Sequence, residues 1–404
     1  MAEPPKLELL TRPQGSAEFR ILELPSNQVH RQFRPRRMPE ESWQITPQPH
    51  SPDGTRSYIL KNLQRDRYLL LNSQEYYLWQ TFDGTRSLEE IARAFHFEFG
   101  AFDYSTIRRL LAKLYQAGLL MEPTQLALQP SHGERAGKLG WGQIARRWRQ
   151  LSFAVPQADR LCTAAYRYGG FLLIHWITFV LVILSAFMAA GAALELSGQA
   201  QQFTRLLSGR PWNSALITLA ALLVASMMHV FVHALACKAY NRRVRGLGFF
   251  LLQGVLPTFY ADVTDIFMST RRARVVVDIA GPMVEVILGS AAFLLAYHLP
   301  PGFAQALSFG IGVLLWEGAL INLYPFSFLE LDGYNIVADL LAMPALRQQA
   351  LALVPQLPRL LLNMTKIQRA EWLQIGYLLL CTLSVVVYVI AHLDALYAIL
   401  PHWN

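Results

Sequence analysis

Cysteine is nearly absent. The 404 residues contain three, Cys162, Cys237 and Cys381, far apart and without paired spacing. That excludes the disulfide framework on which small secreted domains depend. Charge is also scarce, at 16% of residues, and the acidic share is the smaller: 28 Asp and Glu against 36 Lys and Arg. The opening MAEPPKLELL lacks the charged-then-apolar layout of a secretory signal, so the N-terminal region is expected to stay in the cytoplasm. The excess of +8 gathers beside apolar runs. Lipid headgroups and the positive-inside rule account for that placement better than nucleic acid, which is not expected as a partner.

What the chain has in quantity is apolar residues, 53% of the total. They cluster into five runs, 169–193, 214–237, 275–297, 304–328 and 372–393, each near the roughly 20 residues a helix needs to cross a bilayer. Asp278, Glu285 and Glu317 are acidic residues within these runs. Basic residues mark one set of ends: Arg146 to Arg167 before the first run, Lys238 to Arg245 after the second, Arg271 to Arg274 before the third, and Arg347 to Arg369 after the fourth. Five spans with a cytoplasmic N-terminus and an outside C-terminus put every strongly basic loop on one side. The expectation is a mostly α, polytopic protein of the cytoplasmic (inner) membrane, with the lipid bilayer as its first partner. Between the second and third spans, 244–265 is apolar but broken by Gly246, Gly248, Gly254 and Pro257. Such backbone must be buried in protein or line a cavity, as a re-entrant loop or a short sheet.

Ahead of the membrane domain at 169–400, three segments are expected. Residues 1–55, with Arg34-Pro35-Arg36-Arg37, lack periodicity and read as a disordered basic arm. Residues 126–168 read as a basic juxtamembrane linker. Residues 56–125 combine two strand-like runs, Tyr58-Ile59-Leu60 and 68–71, with three helical stretches; Ser87-Leu88-Glu89-Glu90 is a capping box and Gly118 a helix stop. This is a small winged-helix-like α/β unit. Its LLLNSQEYYLWQTFDGTRSLEEIARAF and IRRLLAKLYQAGLL resemble the PqqD-like, or RiPP recognition element, family. That resemblance implies a domain that holds a leader peptide as an added strand on a sheet edge.

The second run ends in His229-Val230-Phe231-Val232-His233. Histidines four apart on a helix share a face, so both rings can reach one metal ion, as in the His-Glu-x-x-His helix of zinc proteases. A third ligand is needed, and the carboxylate of Asp332, in Leu331-Asp332-Gly333-Tyr334, suits zinc. His233 lies five residues before Lys238, roughly 7–8 Å below the cytoplasmic boundary. Asp332 follows the cytoplasmic end of the fourth run, so both stand at the same membrane face. Cys237, one turn beyond His233, is an alternative ligand, although a cysteine among apolar residues is more often core packing.

Three separated stretches, HVFVHALACKAYNRRVRGLGFFLL, LPTFYADVTDIF with RRARVVVDIAGP, and NLYP followed by LELDGYNIVADLL, resemble the site-2 protease family of intramembrane zinc metalloproteases, in particular its bacterial peptide-metalloprotease branch. The likeness implies a core over about 214–343, zinc held by His229, His233 and Asp332, and Asn322 placing substrate or oxyanion near the metal. Two departures stand out. Val230 occupies the position of the general base and has no proton-accepting atom. Asp332 also follows Pro325 at a longer spacing than the family's usual one.

A positioned base contributes about 10²–10⁴-fold in rate, so proteolysis is expected to be impaired or lost. Glu285, eleven residues past Arg274 and roughly 16 Å into the third span, is either a substitute base or a hydrogen-bonding partner for a histidine. Asp262 and Asp265 are expected to pair with Arg271 or Arg272. The leading expectation is a pseudoenzyme-like membrane protein that binds zinc weakly or not at all beyond a structural role and recognises a peptide or protein during processing or export, alongside export or modification machinery. The alternatives are an active zinc endopeptidase using Glu285 and a metal-free scaffold or transporter component.

Overall fold

Near-alternating side chains in KLELLT and RILELP form two strands, β1 (Lys6–Thr11) and β2 (Arg20–Pro25), paired antiparallel with Lys6 opposite Pro25. The computed structural model describes residues 6–11, 20–25, 33–52, 54–100, 104–121, 152–252, 256–357 and 368–399. The chain divides into two units between Lys138 and Leu139.

The expected disordered arm over 1–55 is corrected at several points. Besides β1 and β2, the strand β3 (Trp43–His50) pairs with β4 (Arg56–Asn62), which pairs with β5 (Arg67–Leu71). Pro47 and Pro49 disguise β3 as loop. It lies at the sheet edge, where a missing N–H is tolerated, and its register shifts between Pro47 and His50. The basic run 34–37 is paired backbone rather than a solvated tail. Arg37 N donates to Phe82 O at 2.9 Å, Gly84 N to Pro35 O at 3.0 Å and Met121 N to Arg36 O at 2.9 Å.

Three helices follow, α1 (Ser73–Thr81), α2 (Leu88–Phe99) and α3 (Tyr104–Ala117). Ser87 and Glu90 cap α2 reciprocally, and Asn72 and Glu75 do the same for α1. Leu60, Leu78, Trp79, Phe82, Ile91 and Leu114 are fully buried between sheet and helices, each stabilising the unit by roughly 1.5–3 kcal/mol relative to exposure. Asn62, also buried, joins the layers. Its Oδ1 accepts from Gln64 N and Arg65 N, and its Nδ2 donates to Ala117 O and Gly118 O.

The second unit begins, within the described residues, where a basic linker was expected. It forms β6 (Ser152–Ala154), α4 (Ala158–Arg167), α5 (Trp176–Ser197), α6 (Ala200–Ser208) and α7 (Pro211–Ala239). Then come β7 (Gly246–Leu252), β8 (Leu256–Asp262), α8 (Arg271–His298), α9 (Phe303–Leu323), α10 (Asp332–Leu340), α11 (Leu346–Leu353) and α12 (Arg369–Ile399). Five helices, α5, α7, α8, α9 and α12, are long and apolar enough to cross a membrane.

Two expected span boundaries shift. The first helix starts at Trp176 rather than near 169, because residues 170–174 form a tight 3₁₀ turn and His175 Nδ1 caps Ile177 N. The fourth ends at Leu323 rather than 328, because Tyr324 precedes a proline and is extended, at φ −69° and ψ 119°.

The irregular apolar segment 244–265 makes an antiparallel pair, β7 with β8, and β6 adds a third strand. Asp262 and Asp265, expected to pair with Arg271 or Arg272, make contacts with residues that precede them in the chain. Asp262 meets Arg245 at 3.4 Å, Asp265 accepts from Arg243 N at 3.0 Å, and Arg271 donates to Leu340 O. Of the five long helices α8 is the most enclosed, with half of its apolar window buried against 11–28% for the others. It packs on α5, α7, α9 and α10. That suits its acidic residues, since charge in a span belongs inside the bundle.

Candidate metal centre

Pro211 opens α7 at a position where its missing N–H costs nothing, and an uncharged run carries the helix to His229 and His233 near its far end. The spacing of four turns both rings toward α8, where His233 Nδ1 lies 2.6 Å from Val277 O. Asp332 arrives as the first residue of α10. It comes close because Gly333 follows it: a Cβ there would stand 2.2 Å from Leu323 O, so only glycine lets α10 start against the end of α9. The other end of α10 is tied to α8 by Asp339, whose oxygens lie 2.9 and 2.8 Å from Arg274 Nε. With both ends fixed, the long spacing after Pro325 does not carry Asp332 out of reach.

His229, His233 and Asp332 form a group suited to a metal ion. The two Nε2 atoms are 3.0 Å apart, His229 Nε2 is 3.3 Å from Asp332 Oδ2, and His233 Nε2 is 3.6 Å from Asp332 Oδ1. Atoms held about 2.0–2.1 Å from a tetrahedral zinc ion stand about 3.3 Å apart, and these distances, which end on both oxygens of Asp332, lie near that value, with one donor atom from each residue within 4.8 Å of the others. The chemistry of the donors points the same way. With Nδ1 of His233 on a carbonyl, its Nε2 presents a lone pair, and the lone pairs and carboxylate converge on one point that calls for a cation. Gly281 supplies the room. A Cβ at this position would lie 2.2 Å from His233 Nε2 and 2.6 Å from His229 Nε2.

The side chains are mostly enclosed, 13% exposed for each histidine and 17% for Asp332. Burial by itself would raise the Asp332 carboxyl, but its contacts with His229 and His233 prevail and hold it at about 2.

The remaining expected residues fall around this group. Val230, beside His229, is partly buried and aliphatic. Glu285 Oε1 is 3.0 Å from His229 Nδ1, and Asn322 Nδ2 donates to both Glu285 oxygens at 3.2 and 3.1 Å. Cys237 is outside the group; it is buried in the apolar core around α7, its Sγ toward Arg243 O. Asp278, one turn before Gly281 on the same face of α8, lies in the field of Asp332, Asp339 and Arg274. Sequence reasoning missed Gly281, Gly333 and the Arg274–Asp339 pair. The glycine of Leu331-Asp332-Gly333 was in view, but its role depends on a carbonyl ten residues earlier.

No protein-family model matches the chain, and neither a curated protein nor a solved structure matches it. The likenesses to site-2 proteases and to PqqD-like domains rest on the chain's own motifs.

Proposed function

We propose that this chain is an inner-membrane protein of site-2-protease type that holds zinc at His229, His233 and Asp332 and binds a peptide or protein segment there, with hydrolysis impaired. The observation that carries this reading is the clustering of two imidazole nitrogens and a carboxylate within 3.0–3.6 Å of one another, with valine next to His229. Zinc bound at such a site supplies Lewis acidity toward a peptide carbonyl or a water. The chain's own residues bind and orient the ion, and the aliphatic Val230 leaves the base position without a proton acceptor.

The N-terminal unit fits the selection of substrate. Its β3–β4–β5 sheet has strand edges to which an extended leader peptide can be added. Processing or export machinery would then be the natural neighbour. The basic loops support a cytoplasmic N-terminus and an outside C-terminus.

Zinc content of the purified full chain tests the reading. One ion per chain is expected, and Asp332→Ala should lose it. Val230→Glu should then create or raise cleavage of a model membrane-spanning peptide by about 10²–10⁴-fold, the usual contribution of a positioned base. A zinc-free protein with a silent Asp332→Ala would favour the scaffold or transporter alternative instead. Vigorous cleavage by the unaltered chain, abolished by His229→Ala, would establish an active endopeptidase.

A further inference from the structure

We infer that Glu285 and Asn322 form an orienting clamp on His229, setting the direction of its metal-facing nitrogen, and that Glu285 does not serve as the base. The inference rests on the zinc-binding reading above. An imidazole that ligates through Nε2 carries its proton on Nδ1, and an acceptor beside Nδ1 fixes the tautomer, holds the ring and raises its basicity. Both rings have such an acceptor. For His233 it is the Val277 carbonyl, 2.6 Å away; for His229 it is the Glu285 carboxylate, 3.0 Å away. The Glu285 approach is short but off the line of a hydrogen bond, so Nδ1 is held by charge and proximity rather than by an aligned bond.

The position of Glu285 excludes the base role expected as an alternative. A base must stand beside the reacting water, on the side where the Nε2 atoms and Asp332 converge. Glu285 stands at the opposite end of the His229 ring. Its two oxygens are already engaged by one amide, Asn322 Nδ2, at 3.2 and 3.1 Å. A carboxylate at membrane depth is costly unless it is paired inside the bundle, and among the described residues Asn322 and His229 pair with it. The contacts run from α9 through α8 to α7, so the placement of three long helices is read out at one metal ligand.

Zinc titration of the full chain in detergent against a competing chelator tests the clamp without any peptide. Glu285→Gln and Asn322→Leu should each weaken zinc by about 10–100-fold, the usual cost of losing such a partner. Glu285→Asp should recover part of the loss, and Val230→Glu should change affinity little. In the cobalt(II)-loaded protein, the exchangeable Nδ1 proton of His229 should exchange faster in Glu285→Gln while that of His233 stays unchanged. A merely structural defect would not produce that selectivity. Unchanged zinc affinity in both Glu285→Gln and Asn322→Leu overturns the clamp while leaving the zinc reading intact. An unaltered chain that binds no zinc overturns both.

Discussion

The helix caps of the N-terminal unit and the ionisable side chains buried among the long helices find their partners over very different distances along the chain. In the N-terminal unit, Asn72 with Glu75 and Ser87 with Glu90 close helix ends across three residues. In the membrane unit, Asn322 reaches Glu285 across 37 residues and Arg274 reaches Asp339 across 65. A helix end in water needs a local cap because its first N–H groups have no intrahelical partner. A long apolar helix hides most of its backbone within itself, and its few ionisable side chains must find partners on other helices. Local pairs set where an element begins; distant pairs set how elements stand to one another.

Asp339→Ala should break the distant kind most severely. Arg274 is only 5% exposed in its side chain, and breaking a buried ion pair of this kind costs up to about 3–5 kcal/mol. Because Asp339 anchors the helix that Asp332 begins, zinc affinity should fall with stability. Thermal unfolding in detergent and a zinc titration check both, and unchanged zinc binding would mean that α10 is held without the pair.

Ser87→Ala should break the local kind alone, lowering stability of the N-terminal unit by about 0.5–2 kcal/mol. Hydrogen exchange should quicken in the first turn of α2 while zinc affinity is untouched.

The smallest effect concerns Asp159, which receives Lys238 and accepts from Val244 N where α7 ends. Burial pushes its carboxyl up, but Lys238 and the Val244 amide outweigh it and leave it below the ordinary 3.8. The folded form thus takes up its proton later than the unfolded chain as acid is added. Its stabilisation is present above about pH 4 and is lost as pH falls through the lowered folded value. Melting temperatures from pH 7 to 3 should decline less steeply in Asp159→Asn than in the unaltered chain.

The ease of reading each feature from sequence follows the same division. The five long helices are plain because each is a hydropathy run contained within its own segment. The α2 capping box is plain because Ser87 and Glu90 are neighbours in sequence. Strand β3 is hidden because prolines at 47 and 49 argue against a strand unless its edge position is known. The fourth helix is overestimated because the apolar residues continue past Leu323, although Pro325 forces the chain to leave the helix. At the candidate metal site, His229, His233 and Asp332 were visible through residue type and shared membrane depth. The place of Glu285 was not, since depth alone leaves open which side of His229 it occupies.

Residue order settled how many apolar helices form, which face carries both histidines, and that an aliphatic side chain follows the first of them. Those properties depend on spacing within one helix. Packing settled that two imidazole nitrogens and a carboxylate meet near 3.0–3.6 Å, and that Glu285 lies behind a ring rather than in front of it. That meeting requires bare backbone at Gly281 and Gly333 and the tie from Arg274 to Asp339, contacts between segments brought together only by folding.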